Sequence, residues 1–194
     1  MNIKQQRQVK TFLNEEFGQE KGNQMFIKQE NTLNELIENI KDKSKNQAKT
    51  LVQTILPRIA LYKTLSADDL SEKAIYNYMQ KYMVEKVAAK KHSFTAKLEA
   101  IPGFYALYSN VFLKIMRITD LHESTQNHGK DYFDVNIKKC LWYTACVENG
   151  CEELCRLFCD VDNVTYGGLK KMGFSRTKTL GYGGDCCDFH FYKK

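Results

Sequence analysis

Apolar residues recur at helical spacing along the first 119 positions, and from Asp131 the period shortens to two. Val9, Leu13 and Phe17 fall at i, i+4 and i+8, one face of a short helix within an N-terminal arm, residues 1–31. From Thr32 to Leu65 the pattern predicts one long amphipathic helix. Leu33, Leu36, Ile37 and Ile40 form its first stripe; Leu51, Val52, Ile55, Leu56, Ile59 and Ala60 form a denser second one. Pro57 marks a kink or a fresh start, because proline removes a backbone donor. Ser66, followed by Asp68 and Asp69, reads as the N-cap and acidic first turn of the next helix. That helix runs through Ile75, Met79, Met83 and Val87, and its Tyr76, Tyr78 and Tyr82 suit packing or an interface. After a break at Ile101–Gly103, Phe104 to Thr119 predicts a further helix. Leu121 to Lys130 reads as a polar loop holding solvated His122 and His128.

Residues 131–144 then alternate as a strand does, with Phe133, Val135 and Ile137 on one face and Asp134, Asn136 and Lys138 on the other. Gly150 interrupts the chain before a short helix, Cys151 to Cys159. Phe174 to Leu180 and Cys186 to Lys193 are strand-like runs around Gly181–Asp185, the signature of a hairpin. The expected fold is α+β: a helical N-terminal two-thirds, then a small antiparallel sheet with a cysteine-bearing helix packed on it. Residues 32–194 are expected to form one domain, helical over 32–119 and β-rich over 131–194.

Composition changes this picture in two places. The formal charge of +6 comes from lysines scattered over helical segments, so it describes a solvated surface and no nucleic-acid partner is expected. No apolar leader opens the chain, and its most apolar run, Phe104 to Met116, is too short to span a bilayer. No membrane partner is therefore expected, and the expected compartment is the cytoplasm. There seven cysteines are thiols, ligands or catalytic groups rather than a disulfide framework.

All seven lie within residues 140–187, and the chemistry is sought there. Cys151, Cys155 and Cys159, at i, i+4 and i+8, line one stripe of their helix, where free cysteine also serves as a small apolar residue. On the last strand, alternation separates Cys186, Asp188 and His190 from Cys187, Phe189 and Phe191. The first set has the groups for a thiolate–imidazole pair or a metal site; the second turns Cys187 toward the cysteine helix and Cys159. Strand geometry leaves both open. The spacing C-x3-C-x3-C departs from that of a structural zinc site, and no metal or other cofactor is expected. The chain holds no P-loop, dinucleotide fingerprint, GxSxG elbow or HExxH motif.

Three segments carry a resemblance: Gly150–Leu154 with Phe158–Asp162, Phe174–Leu180, and Gly183–Phe189. Together they resemble the L-2-amino-thiazoline-4-carboxylic acid hydrolase family, and Leu56–Leu65 resembles that family's N-terminal helical segment. The resemblance spans roughly residues 50–192. It implies a hydrolase that opens a thiazoline ring to an N-carbamoyl-cysteine-type product. It also implies catalytic roles for Cys187 (the cysteine directly before Asp-Phe), Cys159, Glu153 and Asp162. Arg176, Thr177, Asp188 and His190 are the corresponding substrate-binding candidates, with Arg176 suited to a carboxylate. Cys146, Cys151, Cys155 and Cys186 are departures from the family pattern. The expected partner is a small-molecule substrate. The competing readings are a non-catalytic sensor module built on the Cys/His cluster, and an interaction protein whose aromatic helices form a homodimer.

Overall fold

A computed structural model describes residues 4–194; Met1 to Ile3 of the N-terminal arm lie outside the described residues. Nine α-helices precede or interleave with four strands among these residues, and the order places most helices before the sheet. The α+β architecture follows the sequence pattern.

The arm forms α1 (Lys4–Phe17) and continues through Gly18 into α2 (Gln19–Glu38). Val9, Phe12 and Leu13 are fully buried in the same core as Ile55, Ile59 and Leu61. The single helix expected over 32–65 is instead broken. α2 stops at Glu38, Asp42 takes a left-handed φ of 51°, and Ser44 opens α3 (Lys45–Thr50) with a capping box to Gln47. A π-helical turn, Leu51–Ile55, then leads into α4 (Leu56–Ser66).

Pro57 explains that turn. It has no N–H to offer the carbonyl of Gln53, and the Gln5 side chain donates to that oxygen instead, at 2.8 Å. Fully buried Gln29 donates to the carbonyl of Pro57 at 3.1 Å. Helices α1 and α2 thus satisfy the irregular backbone that sets the direction of Arg58.

Ser66 does not start a helix. Its hydroxyl bonds back to the carbonyl of Tyr62 within α4, and Ser71 caps α5 (Glu72–Gln80) by accepting from the amide of Ala74. A second π-helical segment, Lys81–Ala88, joins α5 to α6 (Ala89–Leu98), and α7 covers Phe104–Ile118.

The sheet has the order β1-β2-β4-β3, antiparallel throughout. β1 is His122–His128, where the sequence suggests a polar loop. An edge strand with one wet face needs few apolar residues, so its period-two signal was faint. β2 (Tyr132–Cys140) ends earlier than expected, because Leu141–Glu148 forms helix α8. The cysteine helix is α9 (Leu154–Tyr166): it starts later and runs longer than the 151–159 pattern, leaving Cys151 in the preceding turn. β3 (Met172–Ser175) and β4 (Cys187–Lys193) pair as a hairpin. Its connector is the longer loop 176–186 with a short 3-10 turn, Leu180–Tyr182.

Register sorts the faces. Phe133 pairs with Phe191, Val135 with Phe189 and Ile137 with Cys187, all buried under α7 and the end of α9. Asp134 pairs with His190 and Asn136 with Asp188 on the opposite, wetter face. Two cores result, one helical and one on the sheet. α9 contributes to the first through Cys155, Leu157, Phe158 and Cys159, and to the second through Tyr166.

Candidate active site

Between the two cores lies a cavity of about 190 Å³. Its wall draws on many elements: Arg58 of α4, Lys91 of α6, Cys159 and Asp162 of α9, Arg176 of the hairpin loop and Cys187 of β4. Trp142, Phe112, Phe158, Tyr166 and Phe189 supply aromatic surface between these polar groups. A dry cavity of about 150 Å³ accepts benzene. This one therefore admits a five- or six-membered ring with substituents.

Three sulfurs meet at one end. Cys155, Cys187 and the Thr179 hydroxyl neighbour Cys159, and the Arg176 guanidinium adds positive charge. These neighbours lower the pKa of the Cys159 thiol; Cys146 and then Cys159 push Cys155 up, and Cys159 and burial push Cys187 up. The amide of Leu180 donates to the Cys187 sulfur at 3.3 Å, orienting it. Cys159 is the thiol of the trio whose pKa its surroundings lower.

The hairpin loop presses this arrangement together. A Cβ on Gly181 would stand 2.9 Å from the Cys159 sulfur and 3.0 Å from the backbone carbonyl of Cys155. The carbonyl cannot retreat without moving α9, and the sulfur can do so only by leaving its place among the three thiols. Gly181→Ala is expected to cost about 1–3 kcal/mol, the usual range for overpacking, and to slow alkylation of Cys159. A urea midpoint and an iodoacetamide rate both equal to wild type would show that the loop does not bear on the thiolate.

Arg176 donates from one terminal nitrogen to the carbonyl of Cys159 at 2.9 Å and lies over the Phe189 ring at 5.9 Å. Its other terminal nitrogen, Nη1, is buried without a partner. Asp162 is only partly exposed, and burial raises its pKa to about 7 against the pull of Arg176 and Lys91. Burial drives the His122 ring down to about 4 and leaves its Nδ1 without a partner, stacked on Trp142 at 5.2 Å. His122 is thus a neutral wall residue, not the solvated loop histidine that the sequence suggests.

The L-2-amino-thiazoline-4-carboxylic acid hydrolase family has a model that matches residues 45–191. The chain belongs to that family. No curated protein matches it. Among solved structures, the Fe(II) unliganded H-NOX protein from K. algicida overlaps with a TM-score of 0.36 at 13% identity, covering 100% of this chain and 97% of that one. A mutant of the same H-NOX protein gives 0.31 at 12% identity, with 96% and 95% covered. Both overlaps are too low to carry an argument about fold or ligand.

Within the segment matched by the hydrolase family, the sequence candidates divide. Cys187, Cys159, Asp162 and Arg176 converge on the cavity. Glu153 lies elsewhere, accepting a hydrogen bond from the Tyr62 hydroxyl beside a separate pocket. Thr177 and Asp188 bond to each other on the outer side of the sheet, with the Thr177 amide 3.0 Å from Oδ1 of Asp188. His190 pairs with Asp134 at 2.6 Å on that outer face and stacks between Tyr132 and Tyr192. Cys186 precedes β4 and does not line the cavity, so the Cys186/Asp188/His190 cluster is not assembled around one space.

Sequence reasoning missed Arg58, Lys91, His122, Cys140 and Trp142, all of which line the cavity. Only Arg58 left a signal: one cation inside the apolar run Leu56–Leu61. No helix among the described residues is long and apolar enough to cross a membrane.

Proposed function

We propose that the cavity hydrolyses a small carboxylate-bearing heterocycle of the 2-aminothiazoline type, opening its ring by cleavage of the C2–S bond. One observation carries this reading. Cys159, whose thiol pKa is lowered, Asp162, whose carboxyl is raised to about 7, and the Arg176 guanidinium line one aromatic-walled space of matching size.

The Arg176 guanidinium takes the substrate carboxylate, a charge-assisted bond that also fixes the ring's orientation. The ring's C2, bonded to sulfur and two nitrogens, is electrophilic. The Cys159 sulfur adds to it, and the C2–S bond of the ring breaks as Asp162 delivers its proton to the departing sulfur. Water then adds to the enzyme-bound isothiourea carbon with Asp162 as base. The urea carbonyl forms, and Cys159 leaves as the thiolate. The net change is one water consumed, one C–S bond broken and one thiol released.

Incubation with 2-aminothiazoline-4-carboxylate should release one thiol per substrate consumed and give a product heavier by one water. An unchanged substrate at millimolar concentration and high protein loading counts against the reading.

Asp162 also predicts a pH dependence. The acid form that opens the ring is depleted as pH rises through about 7, so ring opening falls above that value. Asp162→Asn should be slow at every pH and should lose this limb; a limb that survives the substitution assigns it to another group. The linked stability effect has a fixed sign. A carboxyl raised from 3.8 to about 7 stabilises the fold fully below 3.8, and that contribution is lost as pH rises through 7.

A further inference from the structure

We propose that Cys159 and Cys187 are a modification site for a hydroperoxide, which oxidises the pair to a reversible disulfide at the cavity wall. The link itself does not depend on a substrate; its effect on turnover rests on the hydrolase reading.

The turn Leu180–Tyr182 holds both sulfurs. The amide of Leu180 donates to the Cys187 sulfur at 3.3 Å. On the next residue, Gly181, a Cβ would stand 2.9 Å from the Cys159 sulfur. Consecutive Cα atoms are about 3.8 Å apart, so the two sulfurs lie against one short piece of backbone. Cys159 comes from α9 and Cys187 from β4, and both line the same cavity. A space of about 190 Å³ readily admits hydrogen peroxide, which has two heavy atoms. Ring opening as derived above leaves Cys187 with no bond to make or break.

The other thiols fit a link to Cys159 less well. Cys155 and Cys159 stand four apart on α9. Such a pair holds its Cβ atoms about 5–6 Å apart, whereas a disulfide needs about 3.5–4.5 Å. Bridging them distorts the helix. Cys186 precedes β4 and does not line the cavity. Cys146 and Cys151 lie outside its wall as well, with the Cys151 sulfur on the carbonyl of Cys146 at 3.5 Å.

The Cys159 sulfur, whose lowered pKa favours the thiolate, attacks one peroxide oxygen. The O–O bond breaks, and the departing oxygen takes a proton from water. Cys187 then attacks the sulfur of the sulfenic acid so formed. The S–O bond breaks, the Cys187 proton leaves with the hydroxide as water, and the S–S bond forms. Two sulfurs lose two electrons in total, and the peroxide gains them. A thiol reductant reverses the link by exchange. The link consumes the Cys159 sulfur, so ring opening stops until it is reduced.

The test treats the reduced full chain, freed of reductant, with about one equivalent of hydrogen peroxide, then blocks remaining thiols with N-ethylmaleimide in denaturant. Intact mass should show two fewer blocked thiols than the seven of the untreated chain. A non-reducing digest should join the peptide of Cys159 to that of Cys187. Fast iodoacetamide labelling of the native protein should fall at least about tenfold, and dithiothreitol should restore it. In Cys187→Ser the same treatment should give no link, and Cys159 should go on to the sulfinic acid.

A link from Cys159 to Cys155 or Cys140 overturns the pair. So does a wild type that keeps seven free thiols, or one whose Cys159 gains two oxygens with no link. A Cys159–Cys187 link in a chain whose reduced form leaves 2-aminothiazoline-4-carboxylate unchanged upholds the pair and overturns the hydrolase reading. Turnover that continues in the linked protein overturns the effect on turnover and removes Cys159 from ring opening.

Discussion

Cys159→Ser lowers turnover of 2-aminothiazoline-4-carboxylate by at least about 10³-fold, the scale on which a covalent nucleophile is lost, and leaves the protein folded. The lowered pKa of Cys159 carries this expectation. Cys155, Cys187 and Thr179 neighbour its sulfur, and the charge of Arg176 favours the thiolate. A serine hydroxyl there is not ionised by such contacts, so the nucleophile disappears while the volume hardly changes. Cys187→Ser should cost far less, about tenfold, because a serine hydroxyl beside Cys159 can donate to its sulfur. Intact-mass measurement after brief, substoichiometric iodoacetamide adds an independent readout. Wild type and Cys187→Ser label once and fast, whereas Cys159→Ser does not. Full turnover by Cys159→Ser, or fast labelling that persists in it, removes Cys159 from the chemistry and returns attention to Cys187.

That comparison shows where reading from sequence stopped. The motif Cys187-Asp188-Phe189 points to Cys187, and alternation on the last strand correctly turns it inward toward Cys159. Which sulfur is the acidic one depends on the hairpin loop, whose Thr179 and Gly181 close on α9. Loop geometry of this kind has no period to read. The helical and strand faces were legible because apolar spacing records burial directly, as Ile75, Met79 and Met83 show in the helical core and Phe133, Val135 and Ile137 on the sheet.

Asp188 and His190 illustrate the opposite failure. Their residue types suit catalysis, but a strand puts them on the face turned away from the cavity, where Thr177 and Asp134 satisfy them. Arg58 was hidden for a different reason. It sits in a segment that looks like core, and only three-dimensional placement shows its guanidinium unpaired beside a cavity. β1 was missed because an edge strand with polar alternation resembles a loop until its partner β2 is known.

Phe191→Ala is expected to be the most damaging single change to stability, at about 3–5 kcal/mol. Phe191 is fully buried at the centre of the sheet core. Its ring stacks on Phe133 with centroids 4.6 Å apart, and it meets Phe174 at 4.8 Å, Tyr166 at 5.1 Å and Phe112 at 5.2 Å. These neighbours come from β2, β3, α9 and α7, so the cavity left by alanine has walls on four elements, each held by contacts elsewhere. Collapse onto it is resisted, and the cavity term adds to the lost transfer free energy. The consequence reaches the candidate site, because Phe112 and Tyr166 also line its cavity. Urea unfolding should show the midpoint falling with the slope nearly unchanged. Phe191→Leu should keep much of the stability, since most of the volume remains. A loss below about 1 kcal/mol for alanine would mean that the four elements close over the gap. The sheet core would then be softer than its packing implies, and Phe112 and Tyr166 would not hold the cavity's shape.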